Sequence, residues 1–147
     1  MYSPHTYTSL LVHCVFSTKD RRPTISEEMQ PRLWAFLGGI ARKNQMRAIA
    51  VGGIDDHAHV LLSMPPTIAV AKAMQLLKGG SSKWMNDQIP PRSFAWQENY
   101  GAFSIGVSQV KDTVFYIKTQ KEHHAKIGFD EEFDMFLRRH GITPDEQ

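Results

Sequence analysis

The sequence predicts an α+β fold, one antiparallel sheet with helices packed against it. Three observations point there. Short apolar, β-branched and aromatic runs alternate with longer segments of helical periodicity. Two of the strand-like runs, "MRAIAVGG" and "HAHVLLS", are joined by a short turn at "GIDD". The order of elements is β-α-β-β-α-β with helices appended, which is the ferredoxin-like (RRM-like) pattern. In that pattern helices cover one face of the sheet and leave the other available for a ligand. The fold by itself implies no function.

Taken in order, Thr6–Phe16 is rich in β-branched, aromatic and apolar residues and reads as a strand, followed by the polar turn "STKDRRP". Ser26 is a candidate N-cap, with Glu27 and Glu28 in the first turn, where the helix dipole favours them. Leu33, Leu37, Ile40 and Ala41 then recur at helical spacing, with Pro31 early in the helix and Gly38-Gly39 weakening its middle. After the hairpin, "MPP" ends the third strand and a second helix spans about Ile68–Trp84, with Ala69, Ala73, Leu76 and Leu77 as buried positions. "QIPPRSFAWQENYG" is a loop and "AFSIGVSQ" a short fourth strand. "VKDTVFYIKTQKEHH" is a helix, and "DEEFDMFLRRHGI" an amphipathic C-terminal helix ending at Gly141.

The 147 residues fit one domain over 1–147. A formal net charge of +2 is compatible with a nucleic-acid partner without arguing for one. The single cysteine, Cys14, allows no internal disulfide and reads as a buried core residue. The N-terminal apolar run is short, lacks a basic leader and is broken by His13, so it is neither a signal peptide nor a membrane span. A cytoplasmic protein with no membrane partner is expected.

Histidine is an unusual choice inside a sheet, and "HAHVLLS" carries two. Residues two apart on a strand share a face, so His57, His59 and Leu61 point one way. Ala58, Val60 and Leu62 point the other way, toward the helices. Two such imidazoles are either partly exposed polar residues or converging metal ligands. Asp55 and Asp56 just before them either orient an imidazole or make the turn.

On the helix "VKDTVFYIKTQKEHH", Val110, Val114 and Ile117 form the apolar stripe. Tyr116 and Gln120, four apart, are neighbours on another side, with Asp112, Thr119 and His123 close by. By itself such a tyrosine is an ordinary edge residue.

The ordered set, "HAHVLL" on a third strand, a fourth strand, then a helix bearing Tyr-x-x-x-Gln, closely resembles the single-tyrosine transposases of the HUH superfamily. These comprise the small insertion-sequence transposases and their REP-associated relatives. The resemblance extends over "LLVHCVFSTKDRRP", "DDHAHVLLSMPP", "LLKGGSSKWM", "WQENYGAFSIGVSQ" and "FDEEFDMFLRRHGI". It implies that His57, His59 and Gln120 hold a divalent metal and that Tyr116 is the nucleophile. It implies Mg2+, with Mn2+ as a substitute, whereas two imidazoles alone favour manganese or zinc. It implies single-stranded hairpin DNA as substrate, cut through a 5′-phosphotyrosine intermediate and rejoined. The base that deprotonates Tyr116 is not identified.

The resemblance also implies a homodimer whose tyrosine helices complete one another's sites in trans, although some REP-associated relatives work as monomers. The close spacing of the fourth strand and the tyrosine helix, with Gly106 between, favours the dimer. Candidate DNA contacts are Lys19, Arg21 and Arg22 after the first strand, and Lys72, Lys78, Ser81, Ser82 and Lys83 around the second helix, where Gly79-Gly80 would let a backbone approach. Trp84 and Trp96 are candidate stacking residues. The alternative function is a domesticated hairpin-DNA-binding protein without cleavage. An RNA-binding domain lacks its aromatic motif, and a relaxase or replication initiator fits the short chain less well.

Overall fold

A computed structural model describes residues 6–89 and 92–143. Its elements are β1 Leu11–Ser17, α1 Gln30–Lys43, β2 Arg47–Gly53, β3 His57–Ser63, α2 Val70–Gln88, β4 Gly101–Ile105, α3 Val110–Lys118, α4 Gln120–His124 and α5 Phe129–Arg139. The four strands form one sheet in the order β2-β3-β1-β4, every neighbouring pair antiparallel. That is the ferredoxin-like α+β architecture the element order predicts.

Alternation along the strands sorts the two faces. Cys14 and Phe16 of β1 and Ala58, Val60 and Leu62 of β3 pack with Leu33, Leu37 and Ala41 of α1 and Ala73, Met74, Leu77 and Met85 of α2. This is the main core, and burial of the Cys14 thiol there pushes its pKa up to about 12. Gly80 lets the two helices touch, since a Cβ there would lie 2.9 Å from Ile40 Cδ1.

The other face is not open, contrary to the expectation from the strand pattern. α3, α4 and α5 fold back over it, with Ile117 against Ala50 and Leu61 and with Phe136 against Val15 and Phe103. The approach of α3 to the edge strand β2 depends on Gly52, where a methyl group would run into the carbonyl oxygen of Ile117.

Several element ends differ from the sequence reading, each for a local reason. β1 begins at Leu11, five residues later than expected, because pairing with β3 and β4 starts there. Ser26 caps a turn by accepting from the Met29 N–H at 3.2 Å, and α1 starts at Gln30 with Pro31 in its first turn, where its missing N–H costs nothing. Glu27 and Glu28 therefore precede the helix. α2 runs from Val70 to Gln88, leaving Ala69 exposed before it and Leu76 half-buried. β4 ends at Ile105, and Val107–Gln109 form a 3-10 turn. The predicted tyrosine helix is two helices, broken at Thr119 (φ −111°, ψ 31°). Pro90-Pro91 of the expected loop lie outside the described residues.

Candidate active site

The tight turn before β3 aims the first histidine. Gly53, at φ +152°, sits where a Cβ would strike the His57 carbonyl. The turn brings Asp56 Oδ1 to 2.8 Å from His57 Nδ1. Asp56 thus orients the imidazole, while the carbonyl of Asp55 accepts from the Ile25 N–H at 3.0 Å. His57 Nε2 is left facing inward.

His59 is oriented in the same way by a residue the sequence reading passed over. His13, on the matching face of β1, places Nε2 2.9 Å from His59 Nδ1. His59 Nε2 then also faces inward. Both β3 histidines are fully buried.

α3 and α4 supply the next two groups from the same chain. Gln120 donates its amide N–H to the Tyr116 carbonyl at 3.1 Å, which turns Oε1 toward His57 Nε2, also 3.1 Å away. The Tyr116 ring packs edge-on to His59. The connector between β4 and α3 is therefore long enough for the helix to reach the histidines of its own chain.

α5 brings a carboxylate that the sequence reading missed. Glu132 is 1% exposed. Its Oε1 lies 3.2 Å from His59 Nε2 and 3.5 Å from His57 Nε2. Its Oε2 accepts from the Tyr116 hydroxyl and lies 3.1 Å from His124 Nε2. His123 Nε2 is 3.2 Å from the Tyr116 hydroxyl oxygen. A sequence signal existed: Phe129, Glu132, Phe133 and Phe136 fall at i, i+3, i+4 and i+7, which sets a carboxylate on the apolar stripe of an amphipathic helix.

Burial and these contacts set the charges. Burial, then the neighbouring His59, hold His13 at a pKa of about 3. Burial also lowers His59, to about 4, outweighing its hydrogen bond to Glu132. Burial would raise Glu132, but hydrogen bonds from His124 and His59 overcome it and hold the carboxyl well below the usual range. The reverse balance raises His124. Burial, then the Glu132 carboxylate, raise the Tyr116 phenol.

These shifts predict acid lability. Unfolded, His13 and His59 would take protons near pH 6.5, whereas folded they resist until about 3 and 4. Their contribution to stability is complete above about pH 6.5 and is lost as pH falls through that window. Glu132 acts in the same direction at lower pH. In EDTA, the melting temperature should fall by roughly 5 °C or more between pH 7.5 and 4.5. A flat profile by circular dichroism would contradict the assignment of neutral buried imidazoles.

The candidate DNA contacts divide between the two faces of the sheet. Lys19, Arg21 and Arg22 are exposed just after β1, near the histidine end of β3, and Arg21 pairs with Asp130 of α5 at 2.6 Å. Lys72 and Lys83 are exposed on α2, across the sheet from Tyr116. Three corrections follow from burial and bonding. Ser81 is fully buried and binds Leu77 O and Trp96 Nε1, so it cannot meet DNA. Trp96 is a core residue packed against Phe16. Lys78 clasps the carbonyls of Gln97, Glu98 and Asn99 at 2.5–3.3 Å. Ser82 is half-buried beside the Phe94 carbonyl, and Trp84 stacks on Phe36 with Arg32 above it.

A transposase family described as IS200-like matches residues 6–120, most of the chain. The chain belongs to this family. It is 29% identical over 126 residues to the transposase of insertion element IS200 from Salmonella typhimurium, covering 80% of this chain and 81% of that one. It is 32% identical over 116 residues to the ISDra2 transposase TnpA of Deinococcus radiodurans, covering 75% and 83%. Two solved structures share the fold. One is a Deinococcus radiodurans R1 protein described as a transposase, with TM-score 0.66, 20% identity, and coverage of 80% of this chain and 98% of that one. The other is a REP-associated tyrosine transposase bound to a REP hairpin, with TM-score 0.57, 13% identity, and coverage of 80% and 69%.

The IS200-like match ends at Gln120, so His123, His124 and Glu132 lie beyond it. Among the described residues of this transposase, no helix is long and apolar enough to cross a membrane.

Proposed function

We propose that this transposase cuts and rejoins single-stranded hairpin DNA, with Tyr116 as nucleophile and a divalent cation held by His57, His59 and Gln120. One observation carries the reading. In the tautomer that gives Nδ1–H to Asp56, His57 Nε2 presents a lone pair. It faces Gln120 Oε1, an acceptor, at 3.1 Å. Acceptors turned on one another repel unless a cation lies between them. Two ligands at right angles, each about 2.1 Å from an ion, stand about 3.0 Å apart, so the spacing fits. The orienting contacts from Asp56 and His13 are the kind that metal-bound histidines carry.

A bound Mg2+ or Mn2+ would supply Lewis-acid neutralisation of the scissile phosphate. The chain's residues do the rest. Tyr116 borders an open cleft of about 670 Å³ lined in part by Asp112, Phe115, Thr119 and His123. DNA would enter there. The phenolic oxygen forms a bond to phosphorus as the bond to the 3′ oxygen breaks. The products are a 5′-phosphotyrosine and a free 3′-OH. The phenolic proton passes to His123, whose Nε2 lies 3.2 Å from the hydroxyl oxygen, and the departing 3′ oxygen takes up a proton. Attack by another 3′-OH reverses the step and joins DNA without ATP. Lys126 lines the cleft itself, and Lys19, Arg21 and Arg22 are exposed at the histidine end of the sheet, where they could meet phosphates farther along the strand.

The test is a covalent adduct on a denaturing gel, using single-stranded hairpins from DNA flanking the gene, with Mn2+ or Mg2+. Adduct on the hairpin, and none on the matched duplex, is expected. Hairpin binding without adduct under either ion would favour the non-cleaving alternative. If each chain builds its own site, a His57→Ala/His59→Ala chain mixed with a Tyr116→Phe chain should stay inactive. Recovery of adduct in the mixture would instead mean a dimer that exchanges α3 between subunits.

A further inference from the structure

We infer that Glu132 is a fourth protein ligand of the divalent cation, so that α5, beyond the matched family region, completes the metal centre. This rests on the cation site proposed above. Glu132 Oε1 lies 3.2 Å from His59 Nε2 and 3.5 Å from His57 Nε2. Those spacings are what a shared ion requires of neighbouring ligands, and they match that between His57 Nε2 and Gln120 Oε1 at 3.1 Å. The donors of Glu132, His57 and His124 all lie within 4.8 Å of one another. A carboxylate on the apolar stripe of a helix, 1% exposed, is costly to bury unless it is paired or binds a metal. Its second oxygen is already committed to Tyr116 and His124, which fixes the direction of the first.

The ligand set would then be two imidazoles, one amide oxygen and one carboxylate. An anionic oxygen makes the centre harder and more negative than two imidazoles and an amide would, which favours Mn2+ and Mg2+ over softer-site metals. The same carboxylate ties the nucleophile to the ion, because the Tyr116 hydroxyl donates to Oε2 while Oε1 faces the histidines. Glu132 thereby sets the distance between phenol and cation before any DNA arrives.

The experiment is Mn2+ binding by calorimetry or by the loss of the free-ion EPR signal, read on the full chain without DNA. Glu132→Gln keeps the shape and an acceptor for Tyr116 but removes the charge. It should weaken Mn2+ binding about tenfold or more, with Glu132→Asp falling between it and the unsubstituted protein. A Glu132→Gln chain that melts normally without metal, yet binds Mn2+ as tightly as the unsubstituted one, overturns the inference. If affinity falls in His57→Ala/His59→Ala but not in Glu132→Gln, this inference fails alone. Undiminished affinity in the histidine variant removes the site beneath it as well. Should Glu132→Gln not fold, crystals of the unsubstituted protein soaked in Mn2+ decide the matter. A Glu132 oxygen about 2.1 Å from the ion supports the assignment, and an ion on the histidines with Glu132 turned away refutes it.

Discussion

Tyr116→Phe should abolish the covalent protein–DNA adduct on a single-stranded hairpin, a loss on the order of 1,000-fold or more, while hairpin binding stays largely intact. The variant removes one oxygen from a ring whose packing against His59 and Phe136 does not depend on it. Glu132 loses one donor but keeps His59 and His124, so the fold should survive. A denaturing gel that shows undiminished adduct in the variant would remove Tyr116 from the chemistry. Equal loss of hairpin binding would show that the hydroxyl holds DNA and is not simply its attacker.

His57→Ala or His59→Ala should eliminate cleavage at any practical concentration of Mg2+ or Mn2+, since each removes one of the two imidazole ligands. His59→Ala should also cost stability, about 1–3 kcal/mol, because it leaves the buried His13 Nε2 without its partner, and His57→Ala should cost less, because Asp56 is 22% exposed. Gln120→Ala should be milder, a fall of about ten- to a hundredfold, because water can stand in for an amide oxygen. The hydrogen bond from its side-chain amide to the Tyr116 carbonyl is lost too, at the break between α3 and α4. Cleavage that proceeds equally well in EDTA, or in either histidine variant, would refute the metal site.

Much of the fold was legible because alternation and helical period are local properties. The β3 face assignment needed only the spacing in "HAHVLL", and the α1–α2 core followed from it. What closed the second face was less visible. Sequence periodicity runs unbroken from Val110 through His124, whereas the chain breaks at Thr119, just before Gln120 meets His57. Of the site, His57, His59, Tyr116 and Gln120 could be named from spacing and resemblance, and the structure brings all four together. His13 and Glu132 could not, since each acts on partners 46 and 73 positions away in His59. The helix α2 shows the opposite case. Hydroxyl content pointed to Ser81, which is buried and bonded to Leu77 O and Trp96 Nε1.

The groups around the nucleophile are drawn from almost the full course of the chain, His13 on β1 and Glu132 on α5 at its extremes. A ribosome makes them in that order. A product interrupted before residue 116 holds the histidines and no phenol. One interrupted between 120 and 132 holds both, without the helix that covers them. On the function proposed above, completion of synthesis would be the moment of arming, and point mutations that loosen α5 should disarm the protein without touching Tyr116.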